Sequence, residues 1–268
     1  MAVEFDGTND YVMVKAGAIL DPSGNFSAAA WVYSDGASDD IWYNEGGVPT
    51  PYAALQFGII SPTPILRFFG RNDAAATVTV SGSAITTGQW NHVAITRSGT
   101  AWVLYINGVA NSQTATLPAA PYTITSAVFG IEKYSTELFS PLDGKEEDVR
   151  VYNRLLTAEE VAILAAGYRG PLGGEAGWWS CANFRGVAHP DGTTLTAATN
   201  YLRDESGNGN TGDPIGGVIA RASDAPSAFP MWLPAHAFHL TRDQAFTGAL
   251  SWVGTVVKAI SITSGFTG

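Results

Sequence analysis

The run Ala101-Trp102-Val103-Leu104-Tyr105-Ile106 leads straight into Asn107-Gly108, and no other stretch restricts the fold of this chain so tightly. An Asn-Gly pair accepts the positive φ that both central residues of a two-residue hairpin turn require, and the twist of such a turn matches its flanking strands. A β-hairpin is expected there. Similar short extended segments precede it. Residues 3–14 hold two pieces about an Asp6-Gly7 turn, and residues 26–33 are small and apolar. Residues 53–60, 64–69 and 76–81 are set apart by Pro and Asn-Asp, and 91–97 place Val93 and Ile95 on one face. Residues 35–52 read as a loop of acids and aromatics. With 30 glycines and 14 prolines in 268 residues to supply the turns, the pattern predicts an all-β sandwich. One helix is expected: Thr157 is a good N-cap, Glu160 completes a capping box, Val161, Leu164 and Ala165 form an apolar stripe, and Gly167 ends it.

Charge narrows the partners. Acids outnumber bases 24 to 14, a net charge of −10. Sequence-independent binding to nucleic acid depends on Lys and Arg displacing counterions, so no nucleic-acid partner is expected. An acidic surface suits calcium, and equally it suits plain solubility. Cys181 is the only cysteine, so no intrachain disulfide forms. The chain enters a strand pattern at Val3 without a basic and then apolar leader, which argues against an ordinary secretory signal. The longest apolar stretch, 246–262, is broken by Gly248, Gly254 and Lys258 and does not read as a membrane span.

Four stretches carry a family resemblance: Phe5-Asp6-Gly7-Thr8-Asn9-Asp10-Tyr11-Val12, Gly88-Gln89-Trp90-Asn91-His92-Val93-Ala94, Leu104-Tyr105-Ile106-Asn107-Gly108, and Gly144-Lys145-Glu146-Glu147-Asp148-Val149-Arg150-Val151-Tyr152-Asn153-Arg154. In this order, with the last leading into the helix, they resemble the laminin-G-like and pentraxin-like family of concanavalin A-type jelly rolls. The resemblance implies a concanavalin A-like β-sandwich over residues 1–175. It implies no single function, because this fold hosts lectins, adhesive modules, glycanases and virion proteins. The family's leader strand and its Asp-Ser-Ser-Gly-Asn-Gly-Asn pattern are missing at the start. A similar pattern stands later, in Gly177-Trp178-Trp179-Ser180 and Leu202-Arg203-Asp204-Glu205-Ser206-Gly207-Asn208-Gly209-Asn210. Residues 176–224 therefore read as a permuted leader that completes this sandwich or a neighbour's, or else as a truncated second repeat. A lone strand of a second sandwich could not bury itself, which favours closure.

Glycanases of this fold use two carboxylates on one strand face in a retaining mechanism. The nearest match, Glu146-x-Asp148-x-Arg150, shares a face by strand alternation. Arg150, however, stands where a second acid is needed, and arginine neither gives up nor recovers a proton at neutral pH. A contact between Asp148 and Arg150 is the structural alternative, and no enzyme activity is expected. Of His92, His189, His236 and His239, the last two are three apart but lack a third ligand in a metal-binding pattern. No Ser-His-Asp arrangement, P-loop or dinucleotide fingerprint is present. A structural calcium could draw on Asp6, Asn9 and Asp10, or on Asp35, Asp39 and Asp40 with Glu45; turn-forming Asp and Asn that bond their own backbone are the competing account. A sugar platform could be built from Trp42, Tyr43 and Tyr52 with Asn44 and Glu45, unless these aromatics are core.

The tail, 225–268, starts with Pro226, Pro230 and Pro234 and then alternates, with Phe246, Leu250, Trp252, Val256 and Ile260 on one side. It reads as an extended β arm for assembly, docking by strand addition, or as a further core strand. An adhesive-type sandwich without a secretion signal or disulfides suits a virion surface protein, a capsid decoration or tail component. Such a protein folds in the host cytoplasm and contacts other virion proteins or copies of itself. The alternative is an extracellular carbohydrate-binding module, with or without calcium, that meets a cell-surface glycan.

Overall fold

The computed structural model describes residues 2–14, 19–22, 24–36, 39–45, 53–60, 63–119, 122, 124, 126–134, 137–181, 193–195, 201–222 and 225–226. Its strands are β1 (Ala2–Asp6), β2 (Tyr11–Val14), β3 (Phe26–Ser34), β4 (Asp39–Glu45), β5 (Ala54–Ile60), β6 (Ile65–Arg71), β7 (Thr77–Ala84), β8 (Trp90–Ser98) and β9 (Ala101–Ile106). They continue with β10 (Val109–Thr114), β11 (Ser126–Phe129), β12 (Glu132–Tyr134), β13 (Glu137–Phe139) and β14 (Asp143–Tyr152). After helix α1 (Ala158–Ala165) come β15 (Glu175–Trp179), β16 (Thr193–Thr194), β17 (Gly212–Ile215) and β18 (Ile219–Arg221). Residues 1–231 form one compact unit and 232–268 a second. The second unit, with the arm residues Phe246, Leu250, Trp252, Val256 and Ile260, lies outside the described residues.

Two antiparallel sheets make the sandwich. One runs β10-β9-β8-β3-β14-β1-β18-β16, with β15 also on β14; the other runs β17-β2-β11-β4-β5-β6-β7. The Asn107-Gly108 turn has φ of 52° and 79°, and it sets Ile106 opposite Val109 in the β9–β10 hairpin. Residues 39–45, expected as loop, are instead strand β4, held between β11 and β5. A register shift between Asp40 and Trp42 lets both Ile41 and Trp42 enter the core.

The core lies between the sheets. Ala28, Ala30 and Val32 of β3 and Leu55, Phe57 and Ile59 of β5 belong to it, with Phe26, Phe68 and Trp102 packed in one group and Trp42, Phe129 and Trp179 in another. Each of the larger of these side chains contributes about 1.5–3 kcal/mol on burial. Helix α1 covers the other face of the larger sheet. Thr157 and Glu160 make the capping box, and Val161 and Leu164 pack on Ala29, Ala94, Tyr105 and Tyr152. Gly167, at φ 92°, closes the helix as its N–H reaches Leu164 O and that of Tyr168 reaches Ile163 O.

The late segment joins both sheets. β15 pairs with β14, β17 with β2 and β18 with β1. Asp204 fixes its loop by accepting the backbone N–H of Trp178 at 3.0 Å, Ser206 at 2.9 Å and Asn210 at 2.9 Å. Trp179 Nε1 donates to Asn210 O at 2.7 Å, which ties that loop to the core.

Strand alternation fails at Asp148. Its φ of 56° marks a bulge on β14, where the register with β3 shifts between Glu147 and Arg150. Glu146 therefore stands opposite Val32, on the core side, while Arg150 stands opposite Ala29, on the helix side. The expected shared face of Glu146, Asp148 and Arg150 does not exist, because the extra residue reverses the parity.

Candidate functional site

The outer face of the seven-stranded sheet carries the best candidate. Along β6, Leu66, Phe68 and Gly70 are buried while Arg67, Phe69 and Arg71 alternate with them, partly exposed. The register places a small patch around this row. On β5, Gly58, Gln56 and Ala54 stand opposite Arg67, Phe69 and Arg71. On the edge strand β7, the exposed Ser81, Thr79 and Thr77 stand opposite the same three. An aromatic ring thus lies between two arginines, with hydroxyl side chains on one flank and an amide on the other.

Gln56 is 3% exposed, and its amide links the patch to the β12–β13 hairpin. Arg67 Nη2 donates to Gln56 Oε1 at 2.8 Å, and Gln56 Nε2 donates to Glu132 Oε2 at 3.2 Å. Burial raises the Glu132 pKa, while the Arg67 charge and the Gln56 hydrogen bond oppose that rise. The Arg67 guanidinium carbon lies 5.9 Å from the Phe69 ring centroid. Phe69 also leans on the apolar group of Tyr11, Ala54, Val128 and Ile131 beneath the hairpin. Arg67 is left with spare hydrogen-bonding capacity: one of its five N–H donors reaches Gln56, and its Nε is buried without a partner. Such a face can stack a flat apolar ring and bond the oxygens around it.

Among the sequence-predicted platform residues, Trp42 is core: it is 2% exposed and packs against Phe129 and Trp179. It offers no face to a sugar, because its side chain lies in the core between the sheets. Tyr43 stands opposite Gln56 and Val128, in the same cross-strand row as Phe69. Asn44 stands opposite Leu55 and Glu45 opposite Ala54. Tyr52 lies outside the described residues. Gln56, Arg67, Phe69 and Arg71 escaped the sequence reading, although the alternation Arg67-Phe68-Phe69-Gly70-Arg71 in an expected strand carried the signal.

Of the proposed calcium residues, Asp6, Asn9, Asp10 and Asp35 have described side chains. Asp6 is exposed and accepts the Thr8 N–H at 2.9 Å, a turn bond. Asn9 is exposed, whereas Asp10 is buried and accepts the N–H groups of Asp6 and Gly217. Asp35 is exposed at the end of β3, and Asp39 and Asp40 stand opposite Ile59 and Gly58. No group of three or more His, Cys, Asp or Glu able to hold a metal occurs among the described residues.

The outer face of the larger sheet carries a cluster of charged and aromatic side chains. Arg150, 0% exposed, pairs with Asp148 and lies 4.3 Å over the Trp178 ring. Arg169 reaches Glu147 at 3.4 Å and lies over Trp31. The Trp31 ring is 5.5 Å from that of the buried His92. This cluster fastens residues 169–179 onto the sheet.

A family model described as the concanavalin A-like lectin/glucanases superfamily matches residues 6–162, more than half of the chain. A Bacteroides ovatus protein provisionally assigned to carbohydrate binding is similar in structure at a TM-score of 0.56 and 18% identity. The match covers 85% of this chain and 61% of that one, so the chain spans about three fifths of the Bacteroides protein. A heptameric SAP-like pentraxin from Limulus polyphemus has a TM-score of 0.48 at 16% identity, covering 61% of this chain and 81% of its own. The CBM40 of a Ruminococcus gnavus IT-sialidase, solved with α2,3-sialyllactose, has 0.48 at 13%, covering 62% and 97%. No curated protein matches the chain in sequence.

Proposed function

This chain belongs to the concanavalin A-like lectin/glucanases superfamily, and on that premise we propose that it is a non-catalytic glycan-binding module whose ligand lies along β6. The observation that carries this reading is the row on β6, where the partly exposed Arg67, hydrogen-bonded to Gln56, stands on the same strand face as the partly exposed Phe69. A guanidinium beside an aromatic ring suits a pyranose, whose apolar face stacks while its oxygens accept. The carbohydrate-binding assignment of the Bacteroides protein supports the same class of ligand. Against hydrolysis stand the arginine at position 150 and the bulge that separates it from Glu146.

Binding of the intact chain to a broad glycan array tests the proposal. At least one glycan is expected to bind, and Phe69→Ala and Arg67→Ala are expected to lose it while keeping the wild-type circular dichroism spectrum. Absence of binding to every glycan would sink the reading. Display on a virion surface, with residues 225–268 as the anchor, is the setting we propose for this activity. Deleting that stretch is then expected to abolish incorporation into particles, and normal incorporation would refute it.

A further inference from the structure

Resting on the glycan-binding reading above, we propose that the site continues onto the β12–β13 hairpin, with Phe139 as a second stacking platform, so that the ligand is an oligosaccharide rather than a single sugar. Three large apolar side chains are exposed among the described residues, Val109, Phe139 and Leu155, and Phe139 alone is aromatic. It is 45% exposed and lies on β13, directly opposite Glu132 of β12. Opposite residues of an antiparallel pair project from the same face, with Cβ atoms roughly 4.5–5.5 Å apart. Phe139 therefore faces the same way as Glu132.

The hairpin has two unlike faces. One carries Ile131 and Leu138, which pack with Tyr11, Ala54 and Val128. Alternation turns Glu132 and Phe139 to the other face, and Glu132 there accepts from Gln56, the residue opposite Phe69. The Arg67 charge also acts on Glu132. One path of residues thus leads from Phe69 past Arg67, Gln56 and Glu132 to Phe139, with an aromatic ring at each end and polar groups between. The hairpin that presents Phe139 is anchored at its base, where the N–H of the buried Leu142 donates to Gly130 O at 2.9 Å. A pyranose chain repeats apolar ring faces between hydroxyl-bearing edges, and stacking at two points with polar groups between matches it. An apolar protein surface laid over the same path would strip water from Arg67 and Glu132 without returning hydrogen bonds.

A glycan array printed with mono- to hexasaccharide series tests this on the full chain, and isothermal titration measures the affinity of its hits. Phe139→Ala is expected to bind the shortest hits as the wild type does and the longer ones roughly tenfold more weakly, whereas Phe69→Ala loses both. Phe139→Tyr keeps the ring and is expected to restore the longer members. Wild-type affinity of Phe139→Ala at every length would overturn the inference and leave glycan binding standing. An equal loss at every length would do the same, because it assigns Phe139 to holding the hairpin in place. A wild-type dimer that Phe139→Ala dissolves, seen by light scattering, would make Phe139 a contact between copies and also overturn it. If the array stays blank, the glycan reading itself falls.

Discussion

Arg150 and Asp148, two residues apart on β14, face each other inside the protein: Arg150 Nε donates to Asp148 Oδ1 at 3.0 Å and Nη2 lies 2.9 Å from the same oxygen. Neighbours at this spacing on a regular strand point the same way without meeting head-on. Here the left-handed φ of Asp148 turns its carboxylate towards the guanidinium. Trp178 Nε1 adds a second hydrogen-bond donor to that oxygen at 2.7 Å, and Gly170 O accepts from Arg150 Nη1 at 2.8 Å.

Replacing Arg150 by Met is expected to cost about 3–5 kcal/mol, because it strands the Asp148 charge in the interior. Urea unfolding measures it. The double variant Arg150→Met with Asp148→Asn is expected to be more stable than Arg150→Met alone; an additive loss would show that the two residues act separately.

Acid should weaken the fold earlier than its carboxylates alone would. Burial of His92, with the Arg169 and Arg150 charges adding to it, lowers its pKa from 6.5 to about 3. Between these values the unfolded chain holds a proton on His92 that the folded chain does not, so stability rises with pH across that window. It is complete above pH 6.5 and falls towards pH 3, by up to about 1.4 kcal/mol per pH unit. Melting temperatures followed from about pH 7.5 to 5 are expected to drop in the wild type and to change less in His92→Phe. Parallel curves would disprove this.

Trp179 is 0% exposed and lies 5.4 Å from the Trp42 ring and 5.8 Å from that of Phe129. Trp179→Ala is expected to lose about 3–5 kcal/mol, readable as a shifted denaturation midpoint. Phe69→Ala, at a partly exposed position, should lose less. A reversed order would mean that the outer face of β6 belongs to the core.

Gly144 lies where β14 passes β3, and a Cβ there would run into the Tyr33 carbonyl oxygen. Gly144→Ala is expected to cost about 3 kcal/mol or more, since the obstacle is backbone that cannot swing aside. Soluble yield and thermal melting report it, and a wild-type melting temperature would refute it.

Much of the architecture could be read from local chemistry. Asn107-Gly108 and Thr157-x-x-Glu160 act through their own backbone, so a short window reveals them. Trp42 could not be placed in this way. Its direction depends on how β4 registers between β11 and β5, and those partners are distant in sequence. Asp148 misled for another reason, as a non-glycine with positive φ leaves no composition signal before a bulge. The alternation that puts Arg67 beside Phe69 was legible, but which side of β6 stays open depends on the β12–β13 hairpin.

The pairing of β18 with β1 also governs the order of events in time. Arg221 and Glu4, joined by an ion pair across this contact, are 217 residues apart. During synthesis the first strands emerge long before β17 and β18, and an edge that waits so long is open to whichever copy of the late segment arrives first. Crowded synthesis on one message therefore favours exchange of that segment between neighbouring chains, and dilute refolding favours each chain completing its own sandwich.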